Sequence, residues 1–181
     1  WGLWSGYLGG WVDNLSMRLV DILLAFPGIL LAIALITLTG PGVGPVVLAS
    51  SVFGIPIFAR LVRGSVLAVK ERVFIEAAVG LGAGSFGVML RHLLPAIVAP
   101  VLVYASLRTG VTLLVASGLS FLGLGVQPPT PEWGAMLSDA QLYLSVHPIM
   151  AFVPGATITL AVLGFNLLGD GLRDVLDPTA R

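Results

Sequence analysis

Residues 22–59 read ILLAFPGILLAIALITLTGPGVGPVVLASSVFGIPIFA, an unbroken stretch without a charged side chain. A helix needs about 20 apolar residues to cross the hydrocarbon of a bilayer. The stretch is therefore long enough for two short membrane helices, and the glycine- and proline-rich segment 40–45 supplies a turn between them. We expect helices near 22–39 and 43–62, the second with Pro56 inside it and Arg60 near its end.

Three further uncharged runs follow, at 92–107, 109–131 and 140–169. They predict a third span near 96–118 and a fourth near 148–169. The segment 120–138 contains Pro128, Pro129 and Pro131 and is expected to be a loop with a short helix. The sequence thus predicts an all-α membrane protein with four visible transmembrane helices.

The composition supports a membrane protein. Of 181 residues, 57% are hydrophobic and 10% are charged, with a mean hydropathy of +1.02, whereas about 25% are charged in a typical soluble domain. Equal numbers of basic and acidic residues give no net charge, which argues against a nucleic-acid partner. The chain has no cysteine and two histidines, which argues against a metal site. Membrane lipid is the expected surroundings, and this composition argues against a soluble enzyme.

The distribution of basic residues predicts the orientation. Five basic residues lie between positions 60 and 91, and the segments 40–45 and 119–147 have none. Because basic residues accumulate in cytoplasmic loops, we expect 60–91 and the C-terminus to be cytoplasmic. Arg108 falls inside the third predicted span.

The basic loop has a pattern of its own. Phe74, Ala78 and Leu81, at i, i+4 and i+7, predict a short helix with an apolar stripe. Four glycines between positions 80 and 87 are expected to end that helix. A second helix is expected from Val88 to Leu94, ending at Pro95.

This loop resembles the EAA signature of ABC importer permeases. The matching residues are Glu76, Ala77, Ala78, Gly82, His92, Leu94 and Pro95. His92 stands where the general pattern has isoleucine, and a histidine there is associated with the peptide/nickel branch of the family.

Other stretches resemble the same branch in the same order along the chain. They are GYLGGWVD (6–13), MRLVD (17–21), AFP (25–27), ARLVR (59–63), SFLGLGVQPP (120–129), WG (133–134), NLLGDGLRD (166–174) and DP (177–178). The resemblance extends over nearly the whole chain.

The resemblance implies an ABC type I importer permease fold with six spans, of which four are visible. Residues 1–181 would be a permease domain that lacks the first span and most of the second, with residues 1–8 as the end of the second. The chain begins at Trp1 without a methionine, and we expect it to be a piece of a longer protein. Residues 60–95, named the EAA loop, would be the cytoplasmic coupling loop.

The resemblance also implies partners. They are a second permease subunit of different sequence, two cytoplasmic ATPases and an extracytoplasmic substrate-binding protein. ATP and magnesium would bind the ATPases, and this chain would have no catalytic site and no cofactor. The implied function is import of di- or oligopeptides across a bacterial or archaeal inner membrane.

Three alternatives remain open. The first is the same architecture with nickel or another small solute as cargo. The second is an ion-driven secondary transporter, which would be expected to carry more ionisable residues within its spans. The third is an intramembrane enzyme, for which no span offers paired acids or a histidine constellation.

Several residues have roles that depend on this interpretation. We expect Glu76 to contact the ATPase, with Ala77, Ala78 and Gly82 kept small, so that a larger residue at Gly82 clashes or misplaces the helix. Arg108 is a candidate for the translocation path, where it would attract a substrate carboxylate; snorkelling and pairing with the partner subunit are the alternatives.

The predicted outer loop supplies further candidates. Glu132, Trp133 and Asp139 would contact the binding protein, or fold the loop onto the membrane, with Trp133 as an interfacial anchor.

Overall fold

A computed structural model describes residues 1–127 and 129–176. Within those ranges the chain is helical and has no strand. The helices are α1 (Gly2–Leu8), α2 (Gly10–Ala25), α3 (Gly28–Thr39), α4 (Val43–Val69), α5 (Val73–Gly80), α6 (Ser85–Val88), α7 (Leu94–Phe121), α8 (Trp133–Ala140) and α9 (Ile149–Leu176). A π-helical turn, Met89–Leu93, joins α6 to α7, and a 3-10 turn, Gln141–Tyr143, follows α8. Pro128, Asp177, Pro178 and Arg181 lie outside the described residues.

Three helical segments are long and apolar enough to cross a membrane: Val43–Val69, Ser85–Phe121 and Ile149–Leu176. A fourth span is present if α2 and α3 count together as one. The second, third and fourth predicted spans are thereby confirmed, and each is longer than its hydropathy alone indicated.

The first predicted span, 22–39, is wrong as a single helix. The structure divides it into α2 and α3 at Phe26 and Pro27. The residue before a proline is disfavoured in the helical conformation, so α2 ends there. Pro27 then takes the N-cap position of α3 with φ −58° and ψ 118°.

Helix α4 continues to Val69, beyond the predicted end at residue 62. Pro56 lies within it without ending it, as is common for prolines in membrane helices. Arg60 and Arg63 are consequently helical residues. The segment that connects the long helices is therefore shorter than the basic segment 60–91 that the sequence predicted to be a cytoplasmic loop.

The described residues form two compact units. The first unit contains 1–25, 54–104 and 171–176, and the second contains 26–53 and 105–170. The core of the first unit joins α4, α5 and the start of α7 through Val66, Ile75, Val88, Leu93 and Ile97. The core of the second unit contains Ala32, Ile36, Val46, Ala49 and Leu119.

Large apolar side chains are also exposed on α3 and along the long helix α9. Leu38 is 86% exposed, Leu160 68% and Leu167 70%. Apolar surface of this kind favours association in water but is stable against lipid. These faces therefore match a protein whose surroundings are the bilayer core.

Candidate functional site

The EAA motif is divided between a short helix, a turn and the start of a long helix. Glu76 and Ala77 lie exposed on α5, and Ala78 on the same helix is buried. Glu76 is in the first turn of α5, where a negative charge is favourable next to the unpaired N–H groups of the helix. Among the described residues, its side chain forms no hydrogen bond or ion pair, so the carboxylate is available at the surface.

Gly82 ends α5 through a specific turn. The Ala83 N–H donates to the Ala78 carbonyl at 3.0 Å, and the Gly82 N–H donates to the Val79 carbonyl at 2.9 Å. This is the Schellman pattern, in which the residue after the cap adopts a left-handed conformation that favours glycine. Gly82 has φ +85°, as that pattern requires.

Of the two effects expected of a larger residue at Gly82, a clash and a misplaced helix, the clash is not found among the described residues. A Cβ built at Gly82 meets no atom of the chain within 4 Å. The constraint within this chain is the backbone conformation, and a larger residue there strains the turn instead of clashing.

The apolar stripe of α5 is also corrected. The buried side chains are Ile75, 3% exposed, and Ala78, 9% exposed. Phe74 is 43% exposed, and Leu81 lies beyond the helix and is 89% exposed. The predicted stripe therefore does not form the packed face, and its two large members remain at the surface.

The second half of the motif lies in the π-helical turn and the start of α7. His92 and Leu93 belong to the turn, and Leu94 and Pro95 begin α7. The predicted helix end at Pro95 is wrong, because the helix that begins at Ser85 continues to Phe121. Pro95 lacks an N–H and cannot form the usual α-helical hydrogen bond. The Leu94 N–H just before it donates to the Met89 carbonyl, which is the wider pairing of a π-helical turn. The helix therefore continues past Pro95 without regular pairing at this point.

An ion pair joins α2 to the part of α4 that belongs to the EAA loop. Arg63 donates from Nε to Asp13 Oδ1 and from Nη2 to Oδ2, both at 2.6 Å. The buried Ser5 hydroxyl of α1 also donates to Asp13 Oδ1, at 2.5 Å. Bidentate pairs of this kind fix orientation as well as distance, so the carboxylate holds three helices of the first unit together.

The candidates of the predicted outer loop differ in their availability. Glu132 caps α8 by accepting the Ala135 N–H at 2.8 Å, and the Ser117 hydroxyl donates to its other oxygen at 3.4 Å. Trp133, 37% exposed, and Asp139 lie at the surface. The structure thus uses Glu132 within the chain and leaves the other two accessible.

Arg108 lies halfway along α7, with its guanidinium carbon 4.9 Å from the centre of the Phe53 ring. Placing an arginine at the middle of a membrane helix costs about 2.5–3.5 kcal/mol on insertion scales. A cation–π contact contributes about 0.5–2 kcal/mol, from exposed to desolvated sites. The Phe53 ring therefore offsets part of that cost and leaves the remainder to water or an anion.

Comparison with known proteins decides the family. The family described as binding-protein-dependent transport system inner membrane component matches residues 1–181. The chain belongs to this family. As a member of the binding-protein-dependent transport family, it is a multi-pass inner-membrane protein with the ABC type I permease fold.

Curated relatives share about half of their aligned residues with the chain. The glutathione transport system permease protein GsiD of Escherichia coli O1:K1 is 53% identical over 172 residues, 95% of this chain and 57% of the relative. The protein of the same name from Pectobacterium atrosepticum is 51% identical over 177 residues, 98% and 59% respectively. The one from Shigella boydii serotype 4 is 52% identical over 172 residues, 95% and 57%. The chain thus spans a little over half the length of these relatives.

Two features of this family member were not singled out by the sequence. Asp13 and Arg63 lie in two stretches that resemble the family, but their pairing joins positions 50 residues apart. Phe53 and Gly28 looked like ordinary span residues. Spacing along one helix cannot predict contacts between helices, so the sequence held no direct signal for either feature.

Proposed function

We propose that the chain is the transmembrane subunit of an ATP-driven importer of small peptides and that Glu76 is its main polar contact with an ATPase. Family membership and the name of the curated relatives support transport of a peptide-like substrate. A second permease subunit completes the path, and a binding protein delivers the substrate. ATP hydrolysis takes place on the separate ATPase subunits.

The observation that carries this proposal is the accessibility of Glu76 on a firmly held helix. Ile75, the preceding residue, is buried in the core of the first unit. Exposed apolar side chains lie around the carboxylate along the chain, with Val73 80% and Leu81 89% exposed. A charge surrounded by apolar surface is suited to a partner that covers both.

The orientation follows from the same proposal. The EAA loop and α9's end face the cytoplasm, where the ATPases are, in agreement with the concentration of basic residues. Trp133 and Asp139 then lie on the outer side, accessible to the binding protein. When the ATPases close on ATP, their movement passes through α5 to the packed residues of α4 and α7.

Two glutamates in the same loop allow a matched test. The full-length chain is expressed with its second permease and ATPases, and the complex is purified from membranes as wild type, Glu76→Gln and Glu71→Gln. Both variants remove one exposed negative charge from the loop. A charge-assisted hydrogen bond contributes about 1.5–3 kcal/mol, so Glu76→Gln should weaken ATPase retention about tenfold or more, and Glu71→Gln should retain it.

Equal retention in both variants, with peptide uptake intact, would show that Glu76 is not the contact. If the wild-type chain retains no ATPase although the second permease is present, the importer proposal itself fails. A peptide-uptake assay on the same complexes then separates peptide from nickel or another small solute as cargo.

A further inference from the structure

Arg108 has no anionic partner among the described residues. Neither of the two ion pairs found there includes it, and its buried Nε has no hydrogen-bond partner. The residue as a whole is partly exposed, so Arg108 lies at the edge of the packed helices and not in their interior. A cation halfway along a membrane helix is stable when it faces water or an anion supplied from outside the chain.

Phe53 fixes the position of this cation. The ring lies under the guanidinium at 4.9 Å and belongs, with Arg108, to the second unit. Such a contact limits where the cation can point without neutralising its charge. The cation is therefore held in place with its charge unbalanced.

Gly28 makes room for the ring. A Cβ at Gly28 would overlap the Phe53 ring, so the ring occupies that position only because residue 28 has no side chain. Ser50 lies one helical turn before Phe53 on α4, and its buried hydroxyl also has no partner. Ser50 on α4 and Arg108 on α7 thus each have a buried polar atom without a partner among the described residues of the second unit.

We infer that Arg108, held over Phe53, binds a carboxylate of the substrate during its passage. This inference rests on the proposed function, because a peptide brings a free C-terminal carboxylate to the path. Arginine suits that group, since its planar set of donors matches a carboxylate through two parallel hydrogen bonds. A phospholipid phosphate is less suitable, because Arg108 lies at the middle of α7 and far along the helix from either end.

The test compares peptides that differ only in this charge. The full-length complex with its binding protein is reconstituted in proteoliposomes. Uptake is measured for a panel of di- and tripeptides that includes glutathione, each as the free acid and as the C-terminal amide. Dividing variant uptake by wild-type uptake for each peptide removes the preference of the binding protein, which is the same in every sample.

Arg108→Gln should lower uptake of the acids about tenfold more than uptake of the amides, equivalent to about 1.4 kcal/mol. Phe53→Leu keeps the charge but removes the ring, and should lower the acid-to-amide ratio in the same direction by a smaller factor. Arg18→Gln removes an exposed arginine from α2 and should leave the ratio unchanged. Retention of the ATPase by each variant shows that the complex has assembled.

Three results would overturn the inference. The first is an equal loss of acids and amides in Arg108→Gln, as expected if Arg108 pairs with the second permease. The second is unimpaired uptake of both forms in Arg108→Gln or, should that variant fail to assemble, an unchanged acid-to-amide ratio in Phe53→Leu. The third is a wild-type complex that imports neither form, in which case the proposed function fails as well. If Arg108→Gln still imports the amides, the proposed function stands, whatever the value of the acid-to-amide ratio.

Discussion

Asp13 and Asp21 both project from α2 to arginines of α4, yet their surroundings differ. Asp13 has a side-chain exposure of 12% and accepts two hydrogen bonds from Arg63. Asp21 and Arg60 are each 56% exposed and share one contact at 2.6 Å. Removing one partner of a buried pair leaves an uncompensated charge, whereas exposed pairs contribute little.

Asp13→Asn is therefore expected to destabilise the purified complex by about 3 kcal/mol. Asp21→Asn, which removes the same charge from the same helix, should change stability by less than about 1 kcal/mol. Thermal unfolding of the two variants in detergent measures the difference. Similar midpoints for both would mean that the Asp13–Arg63 pair does not stabilise the packing of α2 on α4.

Helix α5 has only eight residues, so its stability comes from its surroundings. Ile75 anchors it to the core, and the turn at Gly82 satisfies the carbonyls at its end. Both features fix the position of the α5 backbone, and neither contributes a reactive or charged group. They explain how the alanines and the glycine of the motif help to fix the place of its one carboxylate.

Gly82→Ala should loosen the end of α5, because a non-glycine residue in a left-handed conformation costs about 1–2 kcal/mol. Gly84→Ala is a close control, since Gly84 has φ −67° and a Cβ there meets nothing within 4 Å. Hydrogen–deuterium exchange of peptides covering 73–83 should be faster in Gly82→Ala than in wild type and unchanged in Gly84→Ala. Equal exchange in all three proteins would contradict the role of this turn.

Hydropathy located the long helices because lipid demands a continuous apolar surface, which is a property of the chain read in order. Hydropathy missed the break at Phe26 and Pro27, because the apolar run continues through these two residues although the helix does not. The glycine pattern predicted the turn after α5, but not which glycine needs the positive φ. Nothing in the order of residues predicted that Arg108 would meet Phe53, since that contact joins two helices.

The distribution of basic residues along residues 1–181 predicts which side of the membrane each loop faces. Leu81, in the EAA loop, is 89% exposed, and Leu142, after α8, is 82% exposed. Residues 1–181 contain no cysteine, so a single cysteine placed at either position is the only thiol of this part of the chain. In intact cells a membrane-impermeant maleimide should label Leu142→Cys, and it should label Leu81→Cys only after the membrane is opened.

Labelling of Leu81→Cys in intact cells, together with protection of Leu142→Cys, would reverse the proposed orientation. Labelling of both in opened membranes is the control that each thiol is accessible. The sequence already predicts this outcome from its basic residues, and the structure adds the two positions at which a probe reaches the surface.

The π-helical turn at Met89–Leu93 contains one residue more than an α-helical turn needs. Deleting one residue of the turn would restore regular pairing and rotate everything before it by about 100° about the helix axis. The rotation of α6 and the residues before it about the axis of α7 is thus set by a single residue of the turn.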